Sequence, residues 1–263
     1  MERKVDKEYK ALLLAGGKSK HALKKMTGQE YKALMTIDTL DSGPVISHII
    51  EELKKSRYIS QIYVSGPNEV QRKITSGELM VLPAGNTLME TLQKNISLFQ
   101  NEPYILIISC DIPLVRSKHL ENFLEDCQAN PGFDIYYAII NKEDYLKQFP
   151  QNELRRIYAN LLEGSYTGGN VFFINPKVIV DCADMIEQFI LFRKHPLKMA
   201  NILGRRVVVK YLKKYLSIRD LERMVPEYLK GYTGKAIPAA PEIALDIDKP
   251  VQLEVLKELT RKQ

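Results

Sequence analysis

The residues best suited to chemistry begin with a glycine- and lysine-containing loop at 15–34. Gly16 and Gly17 follow the apolar run KALLL, and they let a ligand approach the backbone and its N–H groups. Lys18, Lys20 and Lys32 supply positive charge for phosphates. The loop has neither the P-loop pattern nor the G-x-G-x-x-G pattern of dinucleotide sites. It predicts a phosphate site of another type or, alternatively, a tight turn followed by a solvated basic loop.

A second candidate, Asp111, stands just after the run YILIIS (104–109). Such an apolar run is typical of a strand buried on both faces, where an unpartnered carboxylate is costly. Asp111 would lie at the same sheet edge as the glycine loop, and magnesium prefers carboxylate, phosphate and water oxygens. We therefore predict that Asp111 ligates a metal ion. The alternative is that it caps the next helix, for which Ser117 is better placed.

Two further aspartates lie in the segment ALDIDKPVQLEVL (244–256). Asp246 and Asp248 alternate with apolar residues, so both point to one side of an extended chain. Pro250 then opens a helix. Asp248 is a candidate metal ligand or, alternatively, a cap near the start of that helix.

The segment GSYTGGNVFFINP (164–176) is a candidate for the second substrate. Gly168 and Gly169 precede a predicted strand that begins at Asn170, and glycines there allow close approach of a ligand. A plain hairpin is the alternative. Arg155 or Arg156 could hold the anionic group of an acceptor, since arginine suits bidentate phosphate contacts. Either residue is equally compatible with a surface position on a strand.

The block 193–214 carries eight basic residues and no acid. Because the first basic loop already serves one anion, we expect Arg193, Lys194 and Lys198 to recognise a phosphate of the acceptor. A solvated basic face and an anionic membrane surface are the alternatives.

The elements that would position these residues alternate along the chain up to residue 140. Mostly apolar runs predict strands at 10–17, 61–66, 79–85, 104–109 and 133–140, and intervening patterns predict helices at 44–56, 87–100 and 117–129. This order predicts an α/β fold with a doubly wound, mostly parallel sheet flanked by helices. The second half is more mixed: it predicts an extended segment at 154–163, strands at 169–174 and 206–212, and helices at 176–203, 217–230 and 250–262. We expect one domain over 1–263, with a nucleotide-binding half at about 8–140 and an acceptor-binding half at about 141–263.

The composition predicts a globular enzyme in the cytoplasm. Hydrophobic residues make up 45% and charged residues 27% of the chain. No apolar run reaches the ~18 to 20 residues that span a bilayer, so stable membrane insertion is not expected. The net charge of +6 is too modest to indicate a nucleic-acid partner. The three cysteines show no paired spacing, which favours reduced thiols.

At these residues the sequence resembles the MobA-like NTP transferases of the glycosyltransferase A type fold. Members have LAGG after the first strand, here at 14–17, and a Lys-x-Leu after a basic loop, here at 32–34. They carry Asp-x-Pro after the fourth strand, here at 111–113, and often a glycine pair before a later strand, here at 168–169. They close with D-x-D-x-P, here at 246–250. The matches occur in the family order.

The resemblance implies residue roles. Lys32 and Asp111 would be catalytic, with Asp111 and Asp248 ligating Mg²⁺ as the cofactor. The segment LPAGNT (82–87) would lie where relatives contact the base or ribose. The nucleotide would be held by Leu14, Ala15, Gly16, Gly17, Lys18, Lys20, Lys32, Pro83, Gly85 and Thr87. The acceptor would be held by Arg156, Gly168, Gly169 and Asn170.

The expected reaction moves a nucleoside monophosphate from a nucleoside triphosphate to a phosphorylated small molecule. Pyrophosphate leaves, and an acceptor that is already an anion needs no general base. One alternative is a nucleotide-sugar-dependent glycosyltransferase, which would not need a lysine at the terminal phosphates. A catalytically silent nucleotide-binding protein is the other, against which the presence of Asp111, Asp248 and Lys32 argues.

Overall fold

The structure, a computed structural model, describes residues 7–37, 43–74, 79–150, 156–192 and 196–260, with the backbone alone over 196–201 and at 260. Its strands form one sheet. They are β1 (Tyr9–Leu14), β2 (Ile59–Gly66), β3 (Met80–Pro83), β4 (Ile105–Ser109), β5 (Ile135–Asn141), β6 (Ala159–Leu161), β7 (Gly164–Ile174) and β8 (Gly234–Pro238).

The strand order is β3-β2-β1-β4-β7-β5-β8, with β6 added beside β7. The pairs β1–β2, β1–β4, β2–β3 and β5–β8 are parallel. Strand β7 runs antiparallel to its neighbours β4, β5 and β6. The expected α/β fold with a mostly parallel sheet is confirmed.

Helices cover both faces of this sheet. They are α1 (His21–Thr27), α2 (Val45–Lys55), α3 (Asn68–Gln71), α4 (Leu88–Asn95), α5 (Ser117–Ala129), α6 (Lys142–Gln148), α7 (Pro176–Asp181), α8 (Ala183–Phe192), α9 (Pro196–Leu212), α10 (Ile218–Tyr228) and α11 (Pro250–Thr260). Successive residues of a strand point to opposite faces. Thus Leu13 packs into the larger core, with α2 and α5, while Leu12 packs into the smaller one, with α4 and α7. Each core excludes water from one face of the central strands.

The second half differs most from expectation. The predicted strand at 206–212 is wrong, because these residues continue helix α9 beyond a break at Gly204, whose φ is 77°. The β-branched run VVV favours a strand locally, but in the structure this segment lies outside the sheet and only Val207 among these three is buried. Strand β8 was not expected, since its sequence GKAIP has glycine and proline at its ends. Arg193 and Lys194 lie outside the described residues, and so does the side chain of Lys198.

The two expected halves of the chain share the sheet. Strand β7, from the second half, lies between β4 and β5 of the first. This interleaving supports our proposal that the chain is one domain, with the nucleotide held mainly by 8–140 and the acceptor by 141–263. Among the described residues, no helix is both long and apolar enough to span a bilayer.

A prediction of fold stability concerns Gly168 on β7. A Cβ atom added there would lie 1.7 Å from the hydroxyl oxygen of Tyr137 and 2.7 Å from its Cζ. We expect Gly168→Ala to lower the free energy of unfolding by about 1–3 kcal/mol, because the ring must move. Chemical denaturation measures this. Gly16→Ala is the control, since its Cβ would meet nothing nearer than Ala84 Cβ at 4.0 Å. Equal stability of the two variants would contradict the prediction.

Candidate active site

The site lies where β1 and β4 end side by side. The two strands are parallel neighbours, so the glycine loop after β1 and Asp111 after β4 leave the same edge of the sheet. The amide of Cys110 donates to Leu14 O at 3.0 Å, which joins the two exits. The amide of Ile247 donates to Asp111 O at 2.9 Å, which adds the aspartate segment that precedes α11. Three parts of the chain therefore meet at one point.

Three carboxylates converge there. One oxygen from each of Asp111, Asp246 and Asp248 lies within 4.8 Å of the other two. Ser109 Oγ donates to Asp111 Oδ1 at 2.6 Å and orients that group. Leu245 and Ile247 are fully buried, and so the two aspartates that alternate with them face the same side. Carboxylate oxygens are the donors that magnesium prefers, so the residues present fit a divalent cation.

Asp246 was not assigned as a metal ligand from the sequence. The D-x-D spacing already showed that Asp246 and Asp248 share a face, but the proximity of Asp248 to Pro250 favoured Asp248 alone. The geometry makes Asp246 the third member of the carboxylate cluster.

Lys32 lies between two carboxylates of this cluster and carries the opposite charge. Its Nζ donates to Asp111 Oδ2 at 2.8 Å and also donates to Asp248 Oδ1. The lysine side chain is only 10% exposed. Burial alone would lower the pKa of Lys32, but Asp111 and Asp248 raise it above its ordinary value, so the lysine is charged. Burial would raise the pKa of Asp248, but Lys32 and Lys20 hold it well below its usual range.

The glycine loop after β1 also contacts the carboxylate cluster. Lys20 Nζ donates to Asp248 Oδ2 at 2.9 Å, and its side chain is 58% exposed. The amide of Lys32 donates to Gly17 O at 3.0 Å, which closes the loop. Gly16, Gly17 and Lys18 are exposed, and within the described parts of the chain the amides of the two glycines donate to no backbone carbonyl. The loop thus offers N–H groups to a ligand next to the carboxylates.

The segment 82–87 lies beside the glycine loop, since a Cβ on Gly16 would sit 4.0 Å from Ala84 Cβ. Its polar groups also serve local structure. The Gly85 amide donates to Thr91 Oγ1 at 2.8 Å, and Thr87 Oγ1 caps α4 by accepting from the Glu90 amide at 3.0 Å. The carbonyl of Pro83 accepts from Asn95 Nδ2 at 2.9 Å. Pro83 and Thr87 remain exposed, as contact with a nucleotide requires.

Two of the expected acceptor residues, Gly169 and Asn170, lie against Ile243, just before the aspartate segment. Asn170 Nδ2 donates to Ile243 O at 3.2 Å. The hydroxyl of Tyr137 occupies the place that a Cβ on Gly168 would take, and a Cβ on Gly169 would lie 2.9 Å from Ile243 Cγ2. Close packing within the protein therefore accounts for both glycines. Their contact with an acceptor, like that of Asn170, stays a prediction.

Arg156 is held by the chain itself. Its Nη1 donates to Asp246 Oδ1 at 2.9 Å and to the carbonyl of Ala244, and its Nη2 donates to Gly168 O at 3.4 Å. Burial and Asp111 raise the pKa of Asp246, whereas Arg156 lowers it, and the net shift is upward. The pKa of Asp246 is therefore raised and that of Asp248 is lowered, and their partners differ: Asp248 accepts from two lysines, whereas Asp246 accepts from Arg156.

Solved structures of transferases share this fold. A hypothetical transferase from Thermus thermophilus is 26% identical with a TM-score of 0.78, and the match covers 94% of this chain and 99% of that one. A CMP:2-keto-3-deoxy-manno-octonic acid synthetase complexed with CTP is 10% identical with a TM-score of 0.56, over 98% of this chain and 99% of that one. The 2-C-methyl-D-erythritol 4-phosphate cytidylyltransferase from Thermus thermophilus is 12% identical with a TM-score of 0.53, over 97% and 99%. The second and third structures, at 10% and 12% identity, show a likeness of fold alone.

Among curated protein sequences, none matches this chain. The family model of the MobA-like NTP transferase domain, by contrast, matches residues 11–230. That range contains the glycine loop, Lys32, Asp111 and the glycine pair of β7, although Asp246 and Asp248 lie beyond it. Most of the chain is therefore covered by one model, and the chain belongs to the MobA-like NTP transferase family.

Proposed function

We propose that the protein transfers a nucleoside monophosphate from a nucleoside triphosphate to a phosphorylated small molecule and releases pyrophosphate. The observation that carries the proposal is the convergence of Asp111, Asp246 and Asp248 with Lys32, beside an exposed glycine loop. Membership of a nucleotidyltransferase family supports the reaction class. The two cytidylyl-type neighbours, one of them complexed with CTP, are consistent with a triphosphate substrate.

The three carboxylates would hold Mg²⁺. When bound, the ion would offset the charge that develops on the phosphate oxygens during transfer. The chain contributes orientation: Ser109 fixes Asp111, and the Ile247–Asp111 backbone bond fixes the distance between the two acidic segments.

The glycine loop would hold the triphosphate. The amides of Gly16 and Gly17 would donate to phosphate oxygens, and Lys18 and Lys20 would add charge at the exposed side of the loop. The backbone of Leu14 and Ala15, together with Pro83, Gly85 and Thr87, would contact the base and ribose. The last three belong to the segment 82–87, whose Ala84 lies beside Gly16.

The chemical step would be an in-line displacement. A phosphate oxygen of the acceptor forms a bond to the α-phosphorus, while the bond between that phosphorus and its bridging oxygen breaks and pyrophosphate leaves. Lys32 would stabilise the negative charge on the triphosphate oxygens. An anionic acceptor gives up no proton, so the reaction needs no general base. Gly168, Gly169 and Asn170 would line the acceptor side.

Lys32 occupies the place that a cation would take between two carboxylates. Its Nζ lies within hydrogen-bond distance of both Asp111 and Asp248. A divalent ion ligated by the same two groups would compete with the lysine, and phosphates bound nearby would offer the lysine a new partner. We propose that metal and triphosphate therefore bind together, with Lys32 passing from the carboxylates to the phosphates.

The direct test of the function is pyrophosphate release. Purified protein with Mg²⁺ is incubated with each of the four nucleoside triphosphates and a panel of sugar phosphates and other phosphorylated acceptors. We expect release that depends on one triphosphate and one class of acceptor, because the base and acceptor contacts are separate. Release of a nucleoside diphosphate from a nucleotide-sugar instead would identify a glycosyltransferase. Binding of a triphosphate without any turnover would support a silent nucleotide-binding protein.

Asp111→Asn tests the metal assignment. We expect turnover to fall by at least about 100-fold, because one anionic ligand becomes neutral at the point where charge accumulates. Initial rates of pyrophosphate release measure the effect. The matched control is Asp126→Asn, an exposed acid near the end of α5, which should leave the rate unchanged. Full activity of Asp111→Asn in Mg²⁺ would rule out Asp111 as a ligand.

Lys32→Met tests the exchange of partners. We expect the variant to bind Mn²⁺ alone about 10-fold more tightly than the unaltered protein, because the competing cation is gone. We also expect it to bind the triphosphate at least about 10-fold more weakly, because a phosphate contact is lost. Titration calorimetry measures both constants. Lys25→Met, at an exposed position on α1, is the control for charge alone. Weaker Mn²⁺ binding by Lys32→Met would show that the lysine does not compete with the metal.

A further inference from the structure

Arg156 donates hydrogen bonds to three groups of the protein. Its guanidinium reaches the carbonyl of Gly168 on β7, the carbonyl of Ala244 and the carboxylate of Asp246. The side chain is 12% exposed. These contacts use most of the N–H donors of the guanidinium, so an acceptor phosphate would compete with groups of the protein for them.

The surroundings of Arg156 hold it in one orientation. Its guanidinium carbon lies 5.3 Å from the ring centroid of Tyr145, a fully buried residue of α6. A cation over an aromatic ring is attracted by the ring face, and here it also rests on a rigid surface. The Nε of Arg156 is buried, and among the described residues it has no hydrogen-bond partner.

Arg156 contacts the turn that carries Asp246 through both a backbone carbonyl and a carboxylate. Ala244 O accepts both from Arg156 Nη1 and, at 3.0 Å, from the amide of Asp246. The next amide, that of Ile247, donates to Asp111 O at 2.9 Å. Arg156 therefore binds the turn at Ala244, before Asp246, and Asp111 binds it at Ile247, after Asp246. Between these two attachments the carboxylate of Asp246 is held within 4.8 Å of its two partners.

We propose that Arg156 is a positioning residue that orients Asp246 as the third carboxylate of the cation site, and that it does not bind the acceptor. The proposal rests on the proposed function only in taking the carboxylate cluster as a site for a divalent cation. It makes the part of Asp246 in cation binding depend on Arg156, and it moves Arg156 from the acceptor to the metal side of the site.

The geometry of arginine suits this task. One Nη1 group donates to two acceptors, Ala244 O and Asp246 Oδ1, while Nη2 reaches Gly168 O. The planar, fixed fork of a guanidinium can satisfy such divergent acceptors together, whereas the compact ammonium of lysine on a flexible stem cannot hold the same three directions. Lysine at this position should therefore restore the charge but not the orientation of Asp246.

The test is a double-mutant cycle on metal binding. Mn²⁺ affinity is measured without nucleotide or acceptor for the unaltered protein, Arg156→Met, Asp246→Asn and the double variant. We expect each single variant to bind Mn²⁺ about 10-fold more weakly, and the double variant to bind no more weakly than Asp246→Asn alone, because Arg156 acts through Asp246. Independent, multiplying losses would overturn the proposal. Arg219→Met, an exposed arginine of α10, is the control and should bind Mn²⁺ normally.

Kinetics separate this role from acceptor binding. With an active substrate pair, we expect Arg156→Met to lower kcat while the KM of the acceptor changes by less than about 2-fold. An acceptor KM raised about 10-fold with unchanged Mn²⁺ affinity would show that Arg156 binds the acceptor, and the proposal would be wrong. The unaltered protein's pyrophosphate release tests the proposed function separately, since the Mn²⁺ cycle needs no turnover.

A second variant keeps the test decisive if Arg156→Met does not fold, as judged by circular dichroism. Arg156→Lys keeps a positive charge beside Asp246, and we expect it to fold with Mn²⁺ affinity reduced at least about 3-fold, since the orientation is lost. Mn²⁺ affinity equal to that of the unaltered protein would show that charge alone suffices, and that Arg156 does not position Asp246.

Discussion

The balance of charge around three neighbouring carboxylates is the interaction on which this site depends. Asp111, Asp246 and Asp248 lie close together at a partly buried sheet edge, where like charges repel and desolvation is costly. Three basic side chains balance them: Lys32 donates to Asp111 and Asp248, Lys20 donates to Asp248, and Arg156 donates to Asp246. A buried carboxylate that lost its cation would be strongly destabilising. The basic side chains therefore stabilise the fold around the carboxylates in the protein without a bound ligand.

The fold makes this arrangement possible through backbone bonds rather than through side chains alone. The parallel pairing of β1 and β4 places two loops at one edge, and the bond from Cys110 to Leu14 joins the first residue after β4 to the last residue of β1. The bond from Ile247 to Asp111 adds a third segment. Gln252 Oε1 then accepts from the amides of Asp248 and Lys249, both at 2.7 Å, at the start of α11. Backbone hydrogen bonds beside these aspartates limit how far the carboxylates can move apart.

The first half of the fold was predictable from the sequence because its strands are apolar runs with glycine or a turn at the end. The fold class and the family resemblance are confirmed, and the loop after β1 lies beside Asp111 as expected. The antiparallel course of β7 was not predictable, since an apolar strand carries no mark of its direction. The run VVVK at 207–210 is helical although its local preference is for strand, which is how tertiary context overrides propensity.

The candidate site was predictable in its residue types but not in its pairings. The D-x-D spacing placed Asp246 and Asp248 on one face, yet no local pattern shows that an arginine about ninety positions away holds the first of them. Tyr137 likewise lies over Gly168 because β5 and β7 are neighbours, a pairing that sequence spacing does not reveal. Contacts between segments distant in sequence set the roles of Arg156 and Gly168.

The ion pair between Lys32 and Asp248 joins residues that are 216 positions apart in the chain. The entropy of closing so long a loop must be offset by the packing of other elements. Asp248 follows the last strand, β8, in the chain, so it can reach the lysine only after every strand of the sheet has been synthesised. The pairing of Lys32 with Asp248 would therefore report that the chain has folded back from the end of the sheet to the loop after its first strand.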